Sequence, residues 1–130
     1  MNILKGKVLD IFHKDDIVMI RINVKNEIFS VLMLDFNSLD HLRPNSYVEL
    51  LFKEHELCFG ELNAKISIEN TFKAKLIKIK KGEILWHIFF DFKGFLIGSI
   101  ISAKKAKELN LNENEEKLCF VKANDIILRT

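Results

Sequence analysis

Leu4-Lys5-Gly6-Lys7-Val8-Leu9-Asp10-Ile11 and Phe72-Lys73-Ala74-Lys75-Leu76-Ile77-Lys78-Ile79 are the two stretches on which the reading of the fold turns. A shift of 68 residues, position 4 onto position 72, lays one on the other and aligns the two halves of the chain without a gap. Under that shift Val18, Ile20, Ile22 and Val24 fall on Trp86, Ile88, Phe90 and Phe92, while Leu50, Leu51 and Phe52 fall on Leu118, Cys119 and Phe120. The match is mainly one of apolar pattern. One fixed offset across three separated segments is the signature of an internal duplication, and it predicts two units, 1–64 and 65–130.

Each unit reads as strands with one short helix. Val18 to Val24 and Ile84 to Phe92 alternate apolar with polar residues, the period-2 pattern of a half-buried strand. The preceding runs, Lys5 to Phe12 and Lys73 to Ile79, end at Lys14-Asp15-Asp16 and Lys80-Lys81-Gly82-Glu83, which supply turn chemistry. Lys25-Asn26-Glu27 and Lys93-Gly94 then lead into third strands at Ile28 to Leu34 and Phe95 to Ile101. After these the period changes. Ser102 is placed to cap a helix carrying Ala103, Ala106 and Leu109, and the first unit has Asn37 to Leu42 there, stopped by Pro44. Fourth strands are predicted at Tyr47 to Lys53 and Lys117 to Lys122, and short fifth strands at Leu57 to Phe59 and Asp125 to Leu128. The fold class is therefore all-β with short helices, two tandem OB-like five-stranded barrels.

Composition bounds the function. Apolar residues make up 48% of the 130 residues, enough for a real core. Units of about 65 residues are marginal alone, because small domains bury a smaller fraction of their surface, so mutual packing or oligomerisation is expected. A net charge of +2, from 20 basic and 18 acidic residues, lacks the basic excess of a nucleic-acid binder. No apolar run approaches the ~20 residues of a membrane span, and the charged start has no signal-peptide core. A cytoplasmic protein without membrane attachment is expected. Cys58 and Cys119, with no Cys-x-x-Cys pair, read as buried thiols.

Catalytic constellations are sparse. His13, His41, His55 and His87 share no repeated spacing, so no metal site is expected, and phosphate-loop, dinucleotide and nucleophile-elbow motifs are absent. Asp15-Asp16 reads as a turn. Phe12, Phe29, Phe36, Phe52, Trp86 and Phe89 could be base-stacking platforms, but their alternating positions suit a core better, and Lys78, Lys80 and Lys81 suit a solvated hairpin. The sequence points to binding and not to catalysis.

The junction Ile66-Ser67-Ile68-Glu69-Asn70-Thr71-Phe72-Lys73-Ala74-Lys75, with the later Phe120-Val121-Lys122-Ala123-Asn124-Asp125-Ile126-Ile127, carries a family resemblance. It resembles the Mop family of molybdate-binding modules, also called the transport-associated OB or TOBE domain, in its tandem form. That family opens with serine-alanine-arginine-asparagine-glutamine before lysine-glycine-lysine, and closes with isoleucine-lysine, a small residue, threonine-aspartate-valine. Ser67, Asn70, Lys73, Lys75, Lys122, Ala123 and Asp125 fit the pattern. The resemblance covers the second unit nearly end to end and the first more weakly, through Lys5-Gly6-Lys7.

The resemblance implies a site for molybdate or tungstate. A tetrahedral dianion calls for converging hydrogen-bond donors and a cation: Ser67 through its hydroxyl, Lys122 through its charge, Ala123 through its backbone N–H, with Asn70 bracing the loop. It also implies assembly across subunits, a homotrimer by analogy, and molybdate-transport or regulatory proteins as partners. Two departures stand out. Glu69 holds the place of the family's arginine, so that either Glu69 points away or the site has changed its ligand. In the first unit the opening motif is cut to Asn2, with Met1 falling on Glu69, and Glu54 and His55 fall on Lys122 and Ala123. Three readings follow: an oxyanion-binding module for storage, buffering or sensing; a module of the same fold that keeps the oligomer without the ion; and an OB-type nucleic-acid binder, which would need Lys7, Lys75, Lys78 and Lys80 to share a face with exposed aromatics.

Overall fold

The computed structural model describes residues 1–34 and 42–130. In the first half β1 (Asn2–Lys14), β2 (Ile17–Val24) and β3 (Glu27–Met33) form an antiparallel meander, followed by β4 (Tyr47–Phe52) and the short β5 (Cys58–Gly60). The second half repeats the order with β6 (Asn70–Lys81), β7 (Leu85–Phe92), β8 (Phe95–Ser102), the helix α1 (Ala103–Glu108), β9 (Glu116–Val121) and β10 (Ile127–Arg129). Ser102 caps α1 as the sequence predicts, its hydroxyl accepting from the Lys105 amide at 3.1 Å. The helix expected in the first half falls almost wholly on 37–41, outside the described residues.

Both halves follow the same backbone rules. The β2–β3 hairpin turns on Lys25 and Asn26 at φ 50° and 72°, and the β7–β8 hairpin on Lys93 and Gly94 at 48° and 94°. Two successive positive φ values match the right-handed twist of the flanking strands, a geometry that favours Asn26 and Gly94 and that Lys25 and Lys93 also adopt. The long first strands carry a bulge between Val8 and Asp10 and another between Leu76 and Lys78. Each bulge inverts the in–out alternation. Leu4 and Val8 are buried before it and Ile11 packs inward after it, as Phe72, Ala74 and Leu76 are followed by Ile79. A bulged strand bends and twists more strongly, and so one strand can serve two walls of a curled sheet.

The strand order is β10-β4-β1-β2-β3 in one sheet and β5-β9-β6-β7-β8 in the other. The fifth strands are exchanged: Leu128, from the end of the chain, stands opposite Leu50, and Phe59, from the first half, stands opposite Cys119. Leu57 and Ile126, just ahead of the exchanged strands, are almost fully buried, each contributing roughly 1.5–3 kcal/mol of apolar burial. The Leu57 carbonyl accepts a 2.7 Å hydrogen bond from the buried Ser99 hydroxyl of β8. Each half of the chain thus supplies the strand that completes the other's sheet.

One hydrophobic core runs through both halves. Phe29 from β3 meets Phe72 and Phe92 with ring centroids 5.2 Å and 6.0 Å away, and those two rings lie 4.6 Å apart. The repeat-related positions, Ile97, Leu4 and Val24, are aliphatic and equally buried. The shared core supplies the mutual packing that two marginal units require.

Strand register corrects the gap-free alignment. Asn2 and Lys7 stand opposite Phe52 and Tyr47, whereas Asn70 and Lys75 stand opposite Val121 and Glu116. Position 47 therefore corresponds to position 116, a shift of 69, although β1 to β3 keep a shift of 68 against β6 to β8. Leu50 corresponds to Cys119, both with no exposed surface. One residue has entered the second half between the third and fourth strands, and downstream of it Lys53, not Glu54, matches Lys122.

Candidate functional site

The opening and closing segments of the second half end side by side. Asn70 is the first residue of β6 and stands opposite Val121, the last of β9. Glu69 and Lys122 therefore leave the same end of the sheet. Lys122 is extended and exposed, and leads into a single 3-10 turn, Ala123–Asp125, that packs against β3 of the first half. Ser67 is exposed in the connection between the halves, outside any strand.

Asn70 is buried and joins the two halves. Its Nδ2 donates to the Ser30 carbonyl of β3 at 2.8 Å, and its Oδ1 accepts from the Ser30 amide at 2.7 Å. The same device recurs at its repeat partner, where Asn2 Nδ2 donates to the Gly98 carbonyl at 2.9 Å and Oδ1 accepts from the Gly98 amide at 2.8 Å. An asparagine side chain here satisfies backbone groups that would otherwise be buried unpaired. Asn70 thus ties the start of β6 to β3 of the other half.

The electrostatic setting of Glu69 involves Arg21 of β2. Asp10 holds the Arg21 guanidinium through both oxygens, with Nε donating to Oδ1 at 2.8 Å. That hydrogen bond and the Asp10 charge raise the Arg21 pKa, and the Glu69 carboxylate adds to the effect. The Glu69 carboxylate thus acts on Arg21 of the first half, after Asp10.

Cys58 is exposed on β5, contrary to the buried thiol expected, because the exchanged strand lies at the edge of its sheet. Partial burial raises its pKa and the Asp125 carboxylate raises it further, while Lys122 opposes them. Cys119 is buried, and burial alone holds its thiol far above the ordinary range. Among the described residues no group of three or more His, Cys, Asp or Glu side chains is placed to hold a metal ion.

The first-half counterpart of this corner is built differently. Glu54 aligns with Ala123 by register, and its backbone carbonyl accepts from the Ile100 amide of β8 at 3.1 Å. Its Oε1 lies 3.3 Å from His87 Nε2, without the alignment of a hydrogen bond, and 3.8 Å from the Met1 nitrogen. Ser30, Arg21, Glu54 and His87 were not marked as site residues by the sequence. The gap-free shift set Glu54 against Lys122, and only the 69-residue offset sets it against Ala123.

Two grooves related by the repeat bear on nucleic-acid binding. One, of about 590 Å³, is lined by Lys5, Lys7, Lys25 and Tyr47, and the other by Lys73, Lys75 and Lys93 together with Asp91, Glu116 and Glu27. Lys7 and Lys75 thus lie in separate grooves, one of them carrying carboxylates. Phe29, Phe52 and Trp86 are buried and Phe89 is half-buried with Lys78 over its ring, leaving Phe12 exposed on its strand beneath Arg21; Phe36 lies outside the described residues.

Two curled five-stranded sheets from a duplicated chain, sharing one core and exchanging their last strands, define a tandem OB-type protein. Among solved structures the chain is similar to the cytoplasmic molybdate-binding protein ModG, in a crystal form with molybdate bound. The TM-score is 0.88 at 18% sequence identity, and the match covers 98% of this chain and 94% of that one. No family model matches the chain, and a search of curated proteins finds no match. The likeness establishes the fold. Among the described residues no helix is long and apolar enough to cross a membrane.

Proposed function

We propose that this chain binds a tetrahedral oxyanion, molybdate or tungstate, at the corner where the opening and closing segments of the second half meet, and serves in storage, buffering or sensing without catalysis. The observation that carries the reading is the chain-wide likeness to a molybdate-binding protein. It is supported locally by Asn70 and Lys122, motif-matching residues that stand at adjoining strand ends. Ser67 donates its hydroxyl to the anion, Lys122 its charge and Ala123 its backbone N–H. Asn70 holds the corner to β3. The units 1–64 and 65–130 act as one folded body that assembles as a homo-oligomer, a trimer by analogy, in the cytoplasm. Molybdate-transport or regulatory proteins are its natural partners.

Isothermal titration with molybdate, tungstate and sulfate, with the oligomer mass measured in the same buffer, tests this. Saturable binding of the first two, weakened at least tenfold by Ser67→Ala or Lys122→Ala, supports it. A well-folded oligomer that gives no heat with any of the three favours the second reading, an interaction module of the same fold without the ion, for which Glu69 at the arginine position is the specific argument.

A further inference from the structure

We infer that the first half's counterpart of the anion corner is closed by the protein's own carboxylate, Glu54, so that the two repeat-related corners of each chain are unequal and only the second accepts an oxyanion. The inference rests on the function proposed above and specifies where in the chain that function operates. The two corners share a frame: Asn2 clamps β8 at Gly98 as Asn70 clamps β3 at Ser30. By strand register Lys53 takes the place of Lys122 and Glu54 the place of Ala123. The cation is therefore retained in both corners, and the next residue differs.

In the second corner that next residue is Ala123, half-buried and with no side chain beyond Cβ. In the first it is Glu54, about a quarter exposed, with Oε1 3.3 Å from His87 Nε2 on β7. Gly98 records how full this corner is. A Cβ there would meet His87 Nε2 at 2.7 Å and Glu54 Oε1 at 3.4 Å, whereas the corresponding Ser30 carries a side chain. His87 Nε2 is buried without a hydrogen-bond partner, and Glu54 Oε1 lies 3.3 Å from it. The Glu54 carboxylate, with the Met1 nitrogen 3.8 Å from its Oε1, excludes a dianion by occupying the volume beside His87.

Substituting Glu54→Ala gives the first corner the same lysine-alanine pair that Lys122 and Ala123 form in the second. The test is the number of tungstate ions bound per chain, by isothermal titration of the full-length protein. Glu54→Ser serves as a second opening variant, and circular dichroism verifies the fold of each. The wild type is expected to lose binding with Lys122→Ala and keep it with Lys53→Ala. Glu54→Ala is expected to double the number of ions per chain, and Glu54→Ala with Lys122→Ala to bind the wild-type number through the first corner. Folded Glu54→Ala and Glu54→Ser proteins that gain no site overturn the inference. If the wild type binds tungstate in that case, the proposed function stands alone. If no variant binds tungstate, both fall together. A wild type that already fills two sites, one of them lost with Lys53→Ala, overturns the inference and leaves the function intact.

Discussion

Lys25 and Lys93, on the two repeat-related hairpin turns, each donate a hydrogen bond from Nζ to the other's backbone carbonyl, at 2.7 Å and 2.9 Å. A reciprocal pair between positions 68 apart places a local two-fold axis between them. Replacing either lysine with methionine is expected to cost about 0.5–1 kcal/mol, with similar values at the two positions, measured by urea unfolding.

The buried asparagines are the stronger clamps. Asn70→Ala leaves both the Ser30 amide and carbonyl without their partner, and an unsatisfied buried backbone group costs about 1–3 kcal/mol. Asn70→Ala and Asn2→Ala are each expected to lower stability by roughly 2–4 kcal/mol on that basis, and to do so without separate transitions for the halves, because the core is continuous. A calorimetric scan showing one transition in each variant supports this.

Gly6 of β1 lies hard against β2. A Cβ there would meet the Asn23 carbonyl oxygen at 2.6 Å and an Ile22 methyl at 2.8 Å, whereas one on Gly60 would come no nearer than 4.0 Å to Phe120. Gly6→Ala is expected to cost about 1–3 kcal/mol through forced backbone shift, and Gly60→Ala to be tolerated. Denaturant midpoints of the two variants decide it.

Acid should weaken the fold in an assignable way. Hydrogen bonds from Arg21 and Arg129 hold the Asp10 and Glu49 carboxyls below their ordinary pKa range, and Asn112 followed by Lys117 does the same for Glu115. A carboxyl with a lowered folded pKa contributes stability that is complete above the ordinary value, about 4, and disappears as pH falls through the folded value. Urea midpoints are therefore expected to fall with decreasing pH below about 4, less steeply in Asp10→Asn.

The exchanged strands give a positional prediction. Leu57→Ala should expose amides of β8 and β9 to hydrogen exchange, in the second sheet, although residue 57 belongs to the first repeat. Leu128→Ala should do the converse in β4. Each substitution removes a buried leucine and is expected to cost about 2–5 kcal/mol. Loss of protection confined to the mutated residue's own repeat would contradict the exchange.

Much of the architecture was legible because period-2 patterning and turn chemistry are local. The hairpins at Lys25-Asn26 and Lys93-Gly94 and the cap at Ser102 needed no tertiary information. The fourth strand misled for a physical reason. Leu50-Leu51-Phe52 is a uniform apolar run, so sliding it by one against Leu118-Cys119-Phe120 and Val121 costs the pattern nothing, and only backbone pairing fixes the register. The exchange was equally hidden, since a strand of three residues carries an alternation too short to name its neighbour. At the candidate site the residue types were readable at Asn70 and Lys122. Ser30, Arg21 and His87 were not, because they arrive from strands distant in sequence with no motif of their own.

The exchanged fifth strands also say what a single repeat would be. A chain carrying only one of these units would have an empty edge beside its fourth strand and a loose terminal segment that fits the same edge on another molecule. Two such chains would close by trading ends, each supplying what the other lacks. The present protein is that reciprocal pair with its two members joined in series, and the connection through residues 61–69 turns a concentration-dependent embrace into an intramolecular one.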